Sequence, residues 1–532
     1  MSLLTPDALQ QLLLGDQELA LLDVREARQA NRAHLNLARH APLSTLELQI
    51  GAFVPRRAVP VVLCDEDDAA DGPAARAAAL LARLGYTDVR RLDGGLRAWA
   101  ARGLPLIDGN NTLVKAFGDR VRQHYGTPVL PLAELEARRR DGVPTTLIDA
   151  RPRNEYAFLS IAGARNHPGT ELSLRRFDDQ ADPHHLWAIN CFSRTRGIIG
   201  TTTLRHLGLT DRAVFVEDGV MAWGLRGAPV VQNARPEDAG DELPAESPEV
   251  LRGLADALVA RHGLRRIDAE GLQRLRADTD RTLYLFDVRP PLPGAAPAGD
   301  LRHVAGGQVF MHFENLVGTR GARIVLVDDP HGLRAAITAF WLTQLNQAEV
   351  HVLDGPLPDA PAEDARPAED IGADAVDADA LARWRETGST DVVDVGPSLD
   401  YERQHLPDAF FLLPSSPDKV DALLAVPGRT VVFTSPDGAA ARLAARDALQ
   451  RRPRARVAWL HGGTQAWQAG GGAVESGVRH DRLLTPFDDD WGSVMRVFGP
   501  ARDAAWADYL AWERGLSARV AQDPTVRFRF FD

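Results

Sequence analysis

The segment Cys191-Phe192-Ser193-Arg194-Thr195-Arg196-Gly197 joins a short apolar run, LWAIN, to a helical stretch, IIGTTTLRHLG. A thiol between a buried strand and a helix start meets the N–H groups of a tight loop and of the helix N-terminus, whose dipoles favour negative charge. The expectation is a thiol lowered from its ordinary ~8.5, with the attacking thiolate well populated at neutral pH. Arg194 and Arg196 add positive charge beside it and could bind the oxyanion of an anionic donor. A lone cysteine is usually a small buried hydrophobe; strand end, loop and two arginines together favour the reactive reading here. Asp149, Arg151 and Glu155, at a second strand end, are read as a supporting ion-pair network rather than as proton-transfer groups.

The elements that position this loop recur. Four apolar runs end in an aspartate, LALLDVR at Asp23, TTLIDAR at Asp149, LYLFDVR at Asp287 and DVVDVGP at Asp394. A second apolar run follows each, breaking at Cys64, Cys191, Asp328 and Ser435, with offsets of 41, 42, 41 and 41 residues. Each break leads into an amphipathic stretch and a third short run closing on Asp-Gly or His-Gly, at Asp93, Asp218, Asp354 and His461. Strands alternating with helices predict α/β units, each a parallel sheet flanked by helices. The resulting units span 1–108, 125–233, 248–358 and 372–476, with a short helical C-terminal extension over 477–532. Pro-, Ala- and acid-rich linkers, ARPEDAGDELPAESP and PLPDAPAEDARPAED, separate units two, three and four. In the extension, Trp506, Leu510, Trp512 and Leu516 form an apolar stripe expected to dock on unit four.

Only unit two has a plausible reactive loop. Cys64 reads as the matching position of unit one, but five carboxylates crowd the residues after it, Asp65, Glu66, Asp67, Asp68 and Asp71. They oppose ionisation and repel an anionic donor, so Cys64 is expected to be inert. Asp328 and Ser435 hold the position in units three and four and offer no thiol there. The histidines, His184-His185 among them, show no ligand spacing with other donors, so neither a metal nor a cofactor is expected.

At 532 residues the chain is long enough for about three to five domains. With 61 basic against 73 acidic residues it carries a net charge of -12, which argues against nucleic acid or an anionic membrane as main partner. Only Lys115 and Lys419 among the basic residues are lysines, a bias that suggests a GC-rich bacterial genome. Two cysteines make no disulfide framework, the first twenty residues have no secretory pattern, and no run of 18 apolar residues occurs; the expected compartment is the cytoplasm.

Each unit resembles the rhodanese domain, whose pattern runs from Asp-x-Arg through Glu-Tyr and a His-Ile-Pro-Gly-Ala turn to the active Cys and a late Asp-Gly-Gly-x-x-x-Trp. Unit one carries Asp23-Val24-Arg25 and Asp93-Gly94-Gly95 with Trp99. Unit two carries Asp149-Ala150-Arg151, Glu155-Tyr156, Ile161-Ala162-Gly163-Ala164 and Asp218-Gly219 with Trp223, and departs at Ser160 and Ala162. Unit four keeps Tyr401-Glu402, His405-Leu406-Pro407-Asp408-Ala409 and Gly462-Gly463 with Trp467, but has Gly396 for the Arg. Unit three keeps Asp287-Val288-Arg289 and loses the Trp motif.

The resemblance implies four tandem rhodanese-like domains and a sulfurtransferase. Cys191 would take sulfane sulfur from a donor such as thiosulfate, hold it as a persulfide, and pass it to cyanide, a small thiol or a sulfur-carrier protein. Phe192 to Gly197 would form the substrate-binding loop, with Asp149, Arg151 and Glu155 in support. Two other readings stand beside it. A phosphatase or arsenate reductase also uses a Cys and an Arg in an anion cradle, but the related cell-cycle phosphatases place five residues between them, whereas Cys191 and Arg196 enclose four. A non-catalytic scaffold would explain the three silent positions.

Overall fold

The computed structural model describes residues 2–178, 182, 184–235, 242–291, 299–358 and 372–532. Each repeat folds into its own five-stranded sheet, and all four sheets share one strand order. In unit two the order is Val129–Leu130, Ala213–Val216, Leu186–Asn190, Thr145–Asp149 and Arg165–Asn166, all parallel. Consecutive residues of its inner strands point to opposite faces. Leu147 and Ala188 enter one apolar cluster, Ile148 and Ile189 another. Burial on both faces is why these strands read as continuous apolar runs.

The predicted strand pairs lie side by side in every unit: Ala20–Asp23 with Val61–Cys64, Leu283–Asp287 with Arg323–Val327, and Thr390–Asp394 with Thr430–Thr434. After each break comes the predicted helix, Pro73–Arg83, Thr195–His206, Leu333–Leu345 and Ala439–Arg451. The acid-rich linker centres, 236–241 and 359–371, lie outside the described residues. Among the described residues no helix is long and apolar enough to cross a membrane.

Units one to three are joined through the helix Thr112–Tyr125, which lies between units one and two in the chain. Its Leu113, Val114, Phe117 and Val121 share one buried cluster with Trp99 of unit one, Phe215 of unit two, and Phe310 and Trp341 of unit three. Burying Phe117 alone stabilises this junction by about 2–3 kcal/mol. Unit four keeps separate apolar clusters. It meets unit one through Arg446, whose guanidinium donates to both oxygens of Glu47 at 2.7 Å.

The C-terminal extension corrects an expectation. Only its first part packs on unit four, through Leu483 and Phe487. The helix Arg502–Val520, with the predicted stripe, instead lies against unit two and the joining helix: Trp506 and Leu510 enter the unit-two core, and Leu516 packs with Ile107 and Ala116. The stripe alone could not say which face would receive it. The receiving groove needs tertiary contacts, among them Gly109, where a Cβ would stand 2.1 Å from the Trp512 ring. The last residues then return to the joining helix, where the Phe530 ring stacks on Phe117 with centroids 5.4 Å apart.

Candidate active site

The strand Leu186–Asn190 ends level with Thr145–Asp149, and Cys191 opens the loop beyond it. A second helix start holds the loop in place, since Val220 donates to the Cys191 carbonyl at 3.0 Å and Met221 to that of Phe192 at 2.9 Å. This approach requires Gly219, which sits at φ +57° with its absent Cβ only 2.2 Å from the Cys191 oxygen. The Gly197 N–H, in the first turn of the next helix, hydrogen-bonds the sulfur, and the Arg196 charge faces it.

Two electrostatic expectations are corrected here. Cys191 is only 2% exposed, and burial pushes its thiol above the ordinary cysteine value. Arg196 and the Gly197 amide pull in the expected direction, but Glu513 and Asp149 oppose them, so in this closed state the thiol is the dominant form at neutral pH. The arginines, moreover, are already paired. Arg196 donates to both oxygens of Glu155 at 2.7 and 2.6 Å, and against the raising effect of burial it holds that carboxyl below its usual range. Arg194 bridges Asp218, at 2.6 Å, and Asp119 of the joining helix. Glu155 thus belongs to the loop rather than to the strand-end pair.

The other expected residues are brought together. Arg151 and Asp149 form a fully buried pair at 2.7 Å, and Asn190 donates to the same carboxylate at 3.1 Å. The Arg151 guanidinium lies 5.4 Å from the centre of the Phe192 ring, and Trp506 meets that ring edge-on. Ser193 hydrogen-bonds Tyr509 and Glu513 of the tail helix. Thr195 packs on the joining helix at Gly118.

Sequence reasoning missed Lys115, Asp119, Tyr509 and Glu513, which arrive from outside the unit. Glu513 is buried and Lys115 half-buried, and after desolvation each is the other's strongest charged influence. The Lys115 ammonium lies 5.0 Å from the Trp512 ring centre and 5.4 Å from that of Tyr509. One signal was available, because a lysine is rare in this arginine-rich chain.

The placement of Cys64 also needs correction. It pairs across the sheet with Asp23 as Asn190 does with Asp149 and Thr434 with Asp394. The residue equivalent to Cys191 is therefore Asp65, one position later. Its carbonyl accepts from Leu96 at 2.9 Å, as Cys191 accepts from Val220 and Ser435 from Thr464. A one-residue slip turns a side chain to the other face, and Cys64 accordingly lies in the core, donating to the Leu22 carbonyl at 3.5 Å. Burial, then Asp23, push its thiol far up.

In the other units the residue at this position fills the amide cradle itself. The Asp65 carboxylate accepts from Asp68 and Ala74 at 2.8 and 2.9 Å. Asp328 accepts from Asp329 and Ala335, and the Arg334 guanidinium bonds Asp328, Asp329 and His331. The Ser435 hydroxyl accepts from Ala441 at 3.3 Å.

Fold and loop define an α/β protein of tandem parallel-sheet units with one thiol at a strand-to-helix junction. The rhodanese-like domain family model matches residues 5–102 and 377–470, thus units one and four. A crystal structure of a thiosulfate sulfurtransferase from Pseudomonas aeruginosa is 34% identical, over 100% of this chain and 100% of that one, with a TM-score of 0.90. The chain belongs to the rhodanese family of sulfurtransferases. The Alr3790 protein of Anabaena sp. is 25% identical over 20% of this chain and 93% of its own, with a TM-score of 0.19. EanB is 15% identical over 67% of this chain and 99% of its own, also with a TM-score of 0.19. No curated protein sequence matches the chain.

Proposed function

We propose that the protein moves sulfane sulfur from an anionic donor such as thiosulfate to a thiol or cyanide through a persulfide on Cys191. One observation carries the reading. Of the four equivalent strand-end positions, unit two alone presents a nucleophilic thiol to a helix amide and an arginine. The full-length likeness to a thiosulfate sulfurtransferase supports the same chemistry.

In the first half-reaction the Cys191 thiolate attacks the outer sulfur of thiosulfate, the S–S bond breaks, and sulfite leaves with the electron pair. In the second, an acceptor thiolate or cyanide attacks the terminal sulfur and releases the Cys191 thiolate, giving an acceptor persulfide or thiocyanate. The Gly197 amide and Arg196 stabilise the terminal sulfur anion. For a donor to reach the sulfur, the tail helix lifts Tyr509 and Glu513 off Ser193. Removing the Glu513 carboxylate and admitting water then lower the thiol toward the reactive range. Arg196, held by Glu155, acts through its charge and loop shape rather than as a free phosphate clamp, which weighs against a phosphatase. We take the domain boundaries as 1–108, 125–233, 248–358 and 372–476, with three domains catalytically silent.

The test is treatment of the full chain with thiosulfate in the absence of thiols. The Cys191 peptide should gain the mass of one sulfur atom, cyanide or a small thiol should reverse it, and the Cys64 peptide should stay unmodified. Turnover of thiosulfate with no such adduct, or an adduct on Cys64, overturns the mechanism.

A further inference from the structure

Units one, two and four align without a gap on their strand-end aspartates, Asp23, Asp149 and Asp394. Seven residues later stand Ala30, Tyr156 and Tyr401. The two tyrosines are fully enclosed and donate to the carbonyls of Ala164 and Ala409, at 2.7 and 2.8 Å. In unit four the Tyr401 ring stacks on His405, with centroids 3.9 Å apart and planes at 11°, and also meets Phe411.

Unit one keeps the surroundings of that ring without the ring. His34 stands in the place of His405, His40 in that of Phe411, and Ala38 in that of Ala409. The imidazole is held the same way, since Nδ1 of His34 bonds the Ala30 carbonyl at 3.1 Å as Nδ1 of His405 bonds that of Tyr401 at 2.7 Å. Where the tyrosine is missing there is a cavity of about 80 Å³, lined by Ala30, His34, Ala38 and His40 together with Asn110 and Trp491. Asn31 also lines it, and its Oδ1 is buried with no hydrogen-bond partner among the described residues.

We propose that this slot in unit one binds a small uncharged planar ring bearing a hydroxyl group, a phenol, in the place that Tyr401 fills in unit four. The ring would stack on His34 as Tyr401 stacks on His405, with its hydroxyl directed to the Ala38 carbonyl. The cavity exceeds the ~10–15 Å³ that one water needs, and it is partly open, so a ring can project beyond it. The lining also excludes an anion. Asp23 and Glu314 are its acidic members, no lysine or arginine belongs to it, and burial keeps His34 and His40 below their ordinary range, hence neutral at pH 7. A hydroxyl that donates suits the unpaired acceptor of Asn31 as well as the carbonyl.

The experiment titrates the full-length protein with phenol, cyclohexanol and benzoate by ligand-observed NMR. Phenol should bind saturably with a Kd on the order of 1 mM. Cyclohexanol, which has the hydroxyl but no flat ring, and benzoate, which is charged, should bind at least ~10-fold more weakly. Ala30→Tyr should abolish phenol binding and leave sulfur loading of Cys191 unchanged, separating this site from the sulfur-transfer reading. If that variant does not fold, phenol soaked into crystals of the native protein decides. Ring density against His34 supports the proposal. No saturable phenol binding, equal binding of cyclohexanol, retained binding in a folded Ala30→Tyr, or only ordered water in the slot overturns it.

Discussion

Units one and two have the same sheet, the same strand-end Asp-x-Arg pair and the same glycine-permitted approach of a second helix to the loop. They differ in what meets the helix amides. In unit two the group is a sulfur; in unit one it is the Asp65 carboxylate, already saturated by Asp68 and Ala74. The strand-to-helix junction presents backbone amides in either case, and one side chain determines whether they meet a thiol or a carboxylate that caps its own helix. The cysteine of unit one does not contradict this, because Cys64 is a strand residue whose side chain faces the core.

The largest effect that could break this comparison is expected from Cys191→Ser. Sulfite release should fall by about three orders of magnitude or more, because the hydroxyl is a far weaker nucleophile and cannot hold sulfane sulfur. If Cys64→Ser costs as much, the two loops are not different in kind.

Arg196→Ala should reduce the rate by roughly 10- to 100-fold and raise the thiol further, since the cation that opposes its burial is lost. The rate of iodoacetamide alkylation against pH should shift to higher pH. An unchanged profile would mean that Arg196 only holds Glu155.

Unit four extends the comparison from the loop to the strand end. With Gly396 in place of the Arg, the Asp394 carboxylate keeps only the Gly396 amide among the described residues, at 2.8 Å, and burial pushes its carboxyl up to about 7. The folded protein therefore holds a proton that the unfolded chain releases near ~4. Stability is highest below that value, falls as pH rises toward about 7, and stays low above it, by something on the order of 2–4 kcal/mol. Asp394→Asn should flatten this dependence and stabilise the protein at pH 8, as read by denaturant unfolding at several pH values. A steeper loss in the variant would mean that other groups set the slope.

The smallest expected effect concerns the cover of the site. Glu513→Gln removes a carboxylate that raises the Cys191 thiol, so alkylation at pH 7 should speed up by roughly 3- to 10-fold. Slower alkylation would show that Glu513 helps the thiol to ionise.

Much of this architecture is written in local pattern. The runs ending at Asp23, Asp149, Asp287 and Asp394 became central strands because a strand buried on both faces must be continuously apolar. Cys191 was legible as a loop thiol because strand, loop and helix are contiguous in the chain. Its neighbour unit was misread by one residue, since the spacing of apolar runs does not mark the last paired residue of a strand. Cys64 and Asp65 exchange roles on that single step.

What only the tertiary structure decided is the state of the site. Asp119, Lys115, Tyr509 and Glu513 reach the loop from the joining helix and from a tail more than three hundred residues downstream. Burial and partner charges are sums over everything nearby in space. The loop's own amides and arginines argued for a lowered thiol, and the folded chain, by covering that thiol and pairing those arginines, raised it instead.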